Sequence, residues 1–530
     1  MNAGPSPRGV TWTAEDRSLL AARGIAVAEA ERQVELLGRP IRHVELDRPC
    51  TVGDGIERVA PDEAGLLSRL HAESAAAGEL AAFVPASGAA TRMFQDLLAC
   101  LADGRALTRD EIEHDLAGAR ATSGPLRALL AGLPRLAFGA ELLAALERRG
   151  FSPVSLLARG PYRPLLETLL AEPGLGLAAL PKGLIPFHLG PEGPRTAFEE
   201  HLADAATLFR ARDGLCRLHF TVPAEQRGRF EALLARVREG LERRYRVRFE
   251  VSFSAQDPAS DTLALDEAGE PARDADGSLL LRPAGHGALL ANLARLEAPI
   301  AVIRNVDNVT AEPFKGPTLE GTRTIVGRLC RLRASRDELL RRLDDPRDAA
   351  APGDALGFAR AALGREAAEA GDEPEAARRA RAVALLERPL RVCGVVPNTG
   401  EPGGGPFWVR GPDGSVSRQI VESAEVDSAS PRQLACVRAA THFNPVLMAC
   451  ALHDAAGRPY ALERFADPAA AIVTRKSQGA RDVVALERPG LWNGAMAHWG
   501  TVFVELPLAV FNPVKTVLDL LRPEHQPASS

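Results

Sequence analysis

The sequence has no C-x-x-C pair, no strong excess of either charge and no apolar run long enough to span a bilayer. Seven scattered cysteines argue against a disulfide framework and against a thiolate zinc site. The formal charge of −5 gives no indication of a nucleic-acid-binding or membrane-binding surface. The first residues contain no apolar segment of a secretory signal, so we expect a cytoplasmic protein.

Lysine is scarce in a chain whose other cations are mostly arginines, and the four lysines are Lys182, Lys315, Lys476 and Lys515. Lys182 lies in a Pro-Lys-Gly turn and Lys515 in an Asn-Pro-Val-Lys segment. An ammonium is a compact point charge that suits a bound phosphate. We therefore predict phosphate contacts for these two lysines, with ordinary surface positions as the alternative.

Histidine and tryptophan give weaker signals. The histidines form no H-x-x-x-H or H-x-H pair, which argues against a zinc site built on histidine. Trp408, Trp492 and Trp499 could stack on a base or sugar. Because two of them lie in the glycine-rich segment GLWNGAMAHWG, we favour positions in the core.

Periodicity and composition divide the 530 residues into segments. Leucine-rich helical patterns open the chain and return after the first α/β part, in a stretch rich in Ala, Arg and Glu. The five predicted segments are an N-terminal helical region (1–75), a first part of the core (76–325), a helical insertion (326–388), a second part of the core (389–522) and a frayed tail (523–530).

Strand and helix patterns alternate in the first part of the core. Residues 216–222 (CRLHFTV) and 247–254 (VRFEVSFS) have strand patterns, and the segment between them has a helical one. This spacing predicts a parallel pair in a βαβ unit. Residues 299–306 (PIAVIRNV) add a buried strand. We predict an α/β fold in which helices flank a mixed sheet and ligands bind at the carboxyl ends of strands.

The stretch around which the rest is organised is residues 82–94 (AFVPASGAATRMF). An apolar strand runs into a cluster of small residues, followed by Arg92 and an amphipathic helix. Small side chains let a phosphate approach the backbone N–H groups of such a turn. A tight turn between strand and helix with no ligand is the alternative explanation.

Among the acids, Asp307 most strongly indicates a metal-binding site, because it directly follows the predicted buried strand at 299–306. A carboxylate at the end of a strand can hold Mg²⁺, which prefers one or two such oxygens together with phosphate oxygens and water. The alternative is an acid that caps the next element.

The order of these motifs resembles that of the UDP-sugar pyrophosphorylases, nucleotidyltransferases with a glycosyltransferase-A-like (Rossmann-like) sheet. Residues 87–92 (SGAATR) stand in the place of that group's glycine-rich G-G-x-G-T-R loop. Residues 181–183 (PKG) resemble its Pro-Lys motif, 283–287 (PAGHG) its nucleotide-contacting turn and 305–308 (NVDN) its metal-binding strand end. The segments QIVESAEV, THFNP and FNPVKTVLDLL extend the resemblance, which covers about residues 80–520.

This resemblance implies a set of functional residues. It implies phosphate-neutralising, catalytic roles for Arg92, Lys182 and Lys515. It implies nucleotide or substrate contacts from Ser87, Gly88, Ala89, Thr91, Gly285, His286, Gly287 and Glu422. It implies Mg²⁺ as cofactor, bound by Asp307 with Asn444 as a weaker second ligand.

A narrower resemblance is to a bacterial family defined as a domain of unknown function, family 4301. The segments PASGAATRMF, PKGLIPFH, EPGGGPFWV, LWNGAMAHW and FNPVKTV carry it.

One departure from the pyrophosphorylases concerns the loop, where Ser87 and Ala90 replace the first and third glycines. A Cβ restricts positive φ, so this change could narrow the room for phosphates.

The implied reaction transfers a nucleotidyl group from a nucleoside triphosphate to a sugar 1-phosphate, or to a related phosphate, and releases pyrophosphate. The main alternative is a non-catalytic protein that binds sugar nucleotides on the same fold, which the altered loop would favour. A third possibility is an enzyme for another phosphorylated alcohol or for a phosphonate.

Overall fold

The computed structural model describes residues 10–39, 42–103, 107–117, 123–190, 192–366, 373–401, 403–478 and 481–527. The N-terminal region, the helical insertion and the tail predicted from the sequence each include residues outside these ranges, and their boundaries stay predictions. The chain forms two compact units. The first unit contains Met1–Ala81, Ser254–Ile303 and Thr322–Leu508, and the second contains Ala82–Phe253, Arg304–Gly321 and Ala509–Ser530.

The described residues form sixteen α-helices. They are α1 (Ala14–Ala22), α2 (Val27–Gly38), α3 (Pro61–Ala76), α4 (Gln95–Ala102), α5 (Arg109–Ala117), α6 (Ser123–Gly132), α7 (Gly139–Arg148), α8 (Pro153–Arg159), α9 (Arg163–Leu170), α10 (Ala197–Leu208), α11 (Arg227–Tyr245), α12 (Leu290–Ala294), α13 (Gly316–Asp344), α14 (Ala351–Ala361), α15 (Glu375–Leu386) and α16 (Pro431–Arg438). No single helix in the described ranges is long and apolar enough to cross a membrane, although the bent pair Ser123–Arg135 and Gly139–Arg148 meets that test together.

Twenty strands alternate with these helices in the described ranges. They are β1 (Leu46–Pro49), β2 (Thr51–Val52), β3 (Gly55–Glu57), β4 (Leu80–Pro85), β5 (Pro186–Gly190), β6 (Gly193–Thr196), β7 (Leu215–Thr221), β8 (Arg248–Ser254), β9 (Thr262–Leu265), β10 (Leu281–Arg282), β11 (Ile300–Arg304), β12 (Arg365–Glu366), β13 (Leu390–Pro397), β14 (Gly405–Arg410), β15 (Val416–Val421), β16 (His442–Phe443), β17 (Leu447–Ala451), β18 (Ile472–Gln478), β19 (Arg481–Glu487) and β20 (Gly500–Glu505).

The main sheet is mixed and has ten strands. In the first unit its order is β2-β3-β20-β13-β17-β11, with β16 also paired to β13. Strand β13 runs parallel to β20, with Leu390 opposite Gly500, and antiparallel to β17, with Leu390 opposite Ala451. Two four-stranded sheets, β1-β14-β15-β12 and β10-β9-β19-β18, complete the first unit. The predicted α/β class with a mixed sheet flanked by helices is confirmed.

The second unit holds the strands β4-β7-β8, in that order, and the hairpin β5-β6. Four phenylalanines pack its helices α10 and α11 onto β7 and β8. The Phe198 ring lies 4.6 Å from that of Phe220 and 5.8 Å from that of Phe230, between ring centroids, and Phe253 joins the same cluster. The strand and helix patterns predicted between residues 216 and 254 are therefore present as β7, α11 and β8.

Local sequence signals fix where several helices begin. Thr13 and Asp16 form a capping box at the start of α1, and Thr196 and Glu199 form one at the start of α10.

Within the segment predicted to be a frayed tail, Pro523–His525 forms a 3₁₀ turn in which His525 is buried. His525 is held there by a 2.9 Å contact between its Nδ1 and Nε2 of His188.

Close helix packing in the first unit gives a direct test of the fold. A Cβ at Gly327 in α13 would lie 2.0 Å from the backbone oxygen of Leu67 in α3, whereas a Cβ at Gly240 in α11 would meet nothing within 4 Å. We expect Gly327→Ala to lower the free energy of unfolding by about 2 kcal/mol through overpacking. Gly240→Ala, the matched control, should raise it by about 0.5–1 kcal/mol through helix propensity. Urea unfolding measures both, and equal effects would contradict the packing.

Candidate functional site

The small-residue loop lies in the second unit, after β4. Ser87, Gly88, Ala89, Thr91 and Arg92 are exposed there, whereas Ala90 is buried. A 3₁₀ turn, Ala90–Arg92, follows the loop, and α4 begins at Gln95. The predicted strand, turn and helix are all present, with the 3₁₀ turn inserted between loop and helix.

The backbone of this loop is held by the Pro-Lys-Gly segment. Ala90 N donates to Leu180 O over 3.0 Å, and Lys182 N donates to Gly88 O over 3.2 Å. These two hydrogen bonds surround an isolated antiparallel bridge between Ala89 and Pro181. The small-residue loop and the Pro-Lys-Gly turn, which are separate motifs in the sequence, are thus held together by backbone hydrogen bonds.

The replaced glycines do not strain this loop. Positive φ is confined to other positions of the described chain, and Ala89 has φ −65° and ψ 146°. A Cβ at Gly88 would meet nothing within 4 Å. Ser87 and Ala90 thus adopt backbone conformations open to any residue, and the effect of the two replacements on the room for phosphates stays a prediction.

The Lys182 side chain contacts two further chain segments, one at Asp307 and one at Val514. Its Nζ donates to Asp307 Oδ2 over 2.6 Å and to Val514 O over 2.7 Å. The two side chains of the ion pair are 14 % and 20 % exposed, so both remain accessible to a ligand. A Cβ at the neighbouring Gly183 would lie 2.9 Å from the Phe230 ring, which explains why glycine follows the lysine.

Asp307 and Asn308 form a turn after β11 that is fastened to the C-terminal segment. Asp307 O accepts from Val514 N over 3.0 Å. Asn308 Oδ1 accepts from Asn512 N over 2.8 Å, and its Nδ2 donates to Val510 O over 3.2 Å. The positioning roles of Asn308 and Asn512 were not predicted from the sequence. The Asn-x-Asp-Asn pattern was the available signal for Asn308.

Lys515 extends from the same C-terminal segment. Asp519 Oδ2 accepts from the backbone N–H groups of both Lys515 and Thr516, over 2.9 and 2.7 Å, and so fixes this turn. Lys515 Nζ lies 5.6 Å from the centroid of the Phe511 ring. Val517 N donates to Met93 O over 3.0 Å, which ties the segment back to the residues that follow the small-residue loop.

A buried charge network supports the turn at Asp307. Arg304, at the end of β11, pairs with Asp204 of α10, and Lys315 pairs with both Asp204 and Glu200. Burial alone would raise the pKa of Asp204, but Lys315 and Arg304 hold that pKa well below its usual range. Burial lowers the pKa of His201 to about 3, so its neutral ring bonds the Val306 carbonyl at 3.2 Å. Lys315 is thus structural.

The predicted nucleotide-contacting turn lies in the first unit. Gly285 has φ +73°, a conformation that favours glycine. A Cβ at Gly287 would lie 2.1 Å from Pro489 O, so only glycine fits there. Between them, His286 stacks on Trp492 with ring centroids 4.1 Å apart and planes inclined by 15°. Trp492 is half-buried, so the prediction of a core position is wrong for it, whereas Trp408 and Trp499 are buried.

Glu422 belongs to the same cluster. Its Oε1 accepts from Trp492 Nε1 over 3.2 Å and lies 3.8 Å from His286 Nε2. His286 Nδ1 accepts from Leu491 N over 2.9 Å, which places the proton of a neutral ring on Nε2. Burial lowers the pKa of His286 despite the opposing effect of Glu422, so the ring is neutral at neutral pH. The structure thus brings His286 and Glu422 together as an uncharged donor beside a carboxylate.

Glu425 fixes the backbone under Glu422. Its Oε2 accepts from Glu422 N and from Asn493 Nδ2, each over 2.7 Å. Burial raises the pKa of Glu425 to about 7. Glu425 could not be predicted from the sequence, because nothing in the local pattern around it separates a buried glutamate from an exposed one.

Asn444 occupies a structural position in the first unit. It is buried, its Nδ2 donates to Gly394 O over 2.7 Å, and its Oδ1 accepts from Val446 N over 3.1 Å. Val446 has φ +58°, and the asparagine amide stabilises that turn.

In the described ranges no three His, Cys, Asp or Glu side chains form a group that could hold a metal. Asp307 Oδ2 is occupied by Lys182, which leaves Oδ1 as the candidate ligand atom.

The raised pKa of Glu425 predicts a pH-dependent stability. A carboxyl whose folded pKa lies above its unfolded pKa stabilises the fold at low pH, and this contribution is lost as pH rises through about 7. We expect Glu425→Gln to raise the free energy of unfolding by about 2 kcal/mol at pH 8 and to change it little at pH 5. The matched control is Glu239→Gln, on the exposed face of α11. Urea unfolding of the three proteins at both pH values tests this. Equal effects of Glu425→Gln at pH 5 and pH 8 would contradict it.

Comparison with known proteins gives one family match. A family model described as Domain of unknown function (DUF4301) matches residues 13–526. No curated protein matches the chain. Two similar solved structures are a UDP-glucose pyrophosphorylase mutant from Leishmania major in complex with UDP-glucose and the uridine diphosphate N-acetylglucosamine pyrophosphorylase from Trypanosoma brucei in complex with inhibitor. Each is 13 % identical and covers 96 % of this chain and 79 % of its own, with TM-scores of 0.42 and 0.45.

Proposed function

We propose that this chain, which belongs to the DUF4301 family as its motifs predicted, is a Mg²⁺-dependent nucleotidyltransferase. It would transfer the nucleotidyl group of a nucleoside triphosphate to a sugar 1-phosphate, or to a related phosphate, and release pyrophosphate. The observation that carries this proposal is the accessible ion pair of Lys182 and Asp307, fastened by backbone hydrogen bonds to the small-residue loop. The seven free cysteines are typical of a reducing compartment, and we place the reaction in the cytoplasm.

The phosphates of the triphosphate would bind along the loop of the second unit. The exposed residues Ser87, Gly88, Ala89 and Thr91 leave room for phosphate oxygens near the backbone, and Arg92 adds positive charge. Lys515, on its capped turn, would neutralise further charge on the leaving pyrophosphate. Because pyrophosphate carries several negative charges, fixed cations at this place lower the barrier to its departure.

Lys182 would act at the reacting α-phosphate. Its ammonium is aimed by two acceptors, Asp307 and Val514, and keeps a third N–H for a phosphate oxygen. An oxygen of the sugar 1-phosphate attacks the α-phosphorus, a new P–O bond forms, and the bond to the β-phosphate oxygen breaks. The nucleophile is already an anion, so the step needs no proton removal, and positioning with charge neutralisation supplies the rate.

Asp307 is the residue that would hold Mg²⁺. Its Oδ1 offers one carboxylate oxygen, and substrate phosphates and water would complete the octahedral shell that this ion prefers. The bound ion would supply charge neutralisation on phosphate oxygens. We leave Asn444 out of the metal site, because both ends of its amide already bond the backbone.

The cluster of the first unit would contact the nucleotide or the sugar. Glu422 offers a carboxylate that can accept from a hydroxyl, and His286 offers a neutral N–H donor beside it. The glycines Gly285 and Gly287 let the backbone of this turn come close to a ligand. Trp492 supports His286 from one side by stacking.

Pyrophosphate release tests this proposal. The purified protein with Mg²⁺ would be given each common nucleoside triphosphate and a panel of sugar 1-phosphates. We expect release with one pair, and a loss of about 10²–10³-fold in kcat/KM in Asp307→Asn and in Lys182→Ala. Lys182→Ala removes a cation proposed to act on the reacting phosphate, and Asp307→Asn removes the carboxylate charge that would hold Mg²⁺.

The matched control is Asp276→Asn, because the Asp276 carboxylate lies in an exposed turn, where it accepts from Ser278 N and Oγ. This variant should keep the activity of the unaltered protein. Release that continues unchanged in Asp307→Asn would contradict the proposed role of the ion pair.

One observation favours the second candidate, a non-catalytic protein that binds sugar nucleotides. The only described partner of the Asp307 carboxylate is Lys182, which neutralises the oxygen a metal would otherwise share. If no pair releases pyrophosphate while a nucleotide sugar still raises the melting temperature, this candidate replaces the enzyme. If no pyrophosphate is released and no nucleotide sugar raises the melting temperature, the protein acts on a different ligand, such as another phosphorylated alcohol or a phosphonate.

A further inference from the structure

A cavity lined by several arginines lies within the first unit. It has a volume of about 580 Å³ and is lined by Arg365, Arg388, His498, Glu425 and Asn493 among others. None of the site residues predicted from the sequence lines it. Volumes between about 300 and 1,000 Å³ are typical of sites for small ligands.

Two arginines of this cavity bond only neutral acceptors among the described residues. Arg365 donates from Nη2 to Ala497 O over 2.7 Å and from Nε to Trp499 O over 3.3 Å. Arg388 donates from Nε to Ala384 O over 3.0 Å and from Nη1 to His498 O over 3.4 Å. These carbonyls orient the two guanidinium groups, and among the described residues neither group forms an ion pair with a carboxylate.

The pKa values of Arg365 and Arg388 reflect the incomplete compensation of their charges. Burial, reinforced by Arg388 and Arg391, lowers the pKa of Arg365 to about 9. Burial also lowers the pKa of Arg388. Two partly buried cations that repel each other are stabilised by an anion placed between or beside them. The positive charge of these arginines therefore favours the binding of a negatively charged ligand in the cavity.

Of the acids that line the cavity, Asp413 acts to raise the pKa of both Arg365 and Arg388 and so offsets part of their charge, but among the described residues it forms no ion pair with either. Asp413 accepts from Ser415 N and Oγ, and Asp467 accepts from Ala469 N and lies 3.7 Å from Arg42. Glu45 is exposed and lies 3.9 Å from Arg432. Burial raises the pKa of Glu425 to about 7, so this carboxyl is partly protonated at neutral pH and can donate to an anionic ligand.

We propose that this cavity is a binding site for a small phosphate monoester. The planar forks of Arg365 and Arg388 match the oxygens of a phosphate dianion, which several donors can contact at once. Val409, Ile420 and Ala470 line the remaining wall and give the organic part of the ester an apolar surface. This ligand goes beyond the proposed reaction, whose phosphates bind in the second unit.

Calorimetric titration with inorganic phosphate, at constant ionic strength in chloride, tests the proposal. The titration is done in the double variant Lys182→Ala/Lys515→Ala, which lacks the phosphate contacts of the proposed reaction. We expect phosphate binding to persist in that background. Adding Arg388→Gln should weaken it at least tenfold, and adding Arg388→Lys should weaken it less, because the charge remains while the fork is lost.

The matched control is Arg410→Gln. Arg410 lines the same cavity but its guanidinium is paired with Asp47, so its loss should leave phosphate affinity within about twofold. Melting curves of each variant show that it is folded. Binding that is absent in the double variant, or that survives Arg388→Gln undiminished, overturns the site. Tight binding of citrate without binding of phosphate overturns the ligand class. Because the background lacks Lys182 and Lys515, failure here is distinct from failure of the proposed reaction.

Discussion

The ion pair of Lys182 with Asp307 is the interaction on which the organisation of the second unit's site depends. One ammonium binds the carboxylate over 2.6 Å and the Val514 carbonyl over 2.7 Å, so it joins three segments that are distant in sequence. A fourth segment, the small-residue loop, is joined through the backbone of Lys182 itself. Because a charge-assisted hydrogen bond is directional and strong in a partly buried place, this pair fixes geometry and stays accessible to ligand.

The support behind this pair is itself electrostatic. Arg304 and Lys315 compensate Asp204 and Glu200 inside the unit, so the strand that ends at Asp307 is held by buried, mutually satisfied charges. Removing one partner of such a network leaves an uncompensated buried charge, which is far more costly than losing an exposed pair. The site is thus a partly buried ion pair on a rigid base, and rigidity of this kind would position the groups that the proposed reaction needs.

The sequence predicted strand, helix and motif positions well, because these depend on local patterns. The strand before Asp307 and the loop at Ser87–Arg92 both follow from periodicity and from turn residues within a few positions. What it did not predict depends on partners far along the chain. The stack of His286 on Trp492, the raised pKa of Glu425 and the backbone role of Asn444 each need a contact with a distant segment, and no local signal encodes such a contact.

Affinity for a nucleoside triphosphate with and without Mg²⁺, measured in the unaltered protein and in Asp307→Ala, tests the central claim most directly. Without the metal, Asp307 would repel bound phosphates and compete with them for Lys182, so we expect Asp307→Ala to bind the metal-free nucleotide more tightly. Mg²⁺ should strengthen binding to the unaltered protein and should have little effect on the variant. An equal effect of Mg²⁺ on both proteins would contradict the claim that this ion pair is the phosphate and metal site.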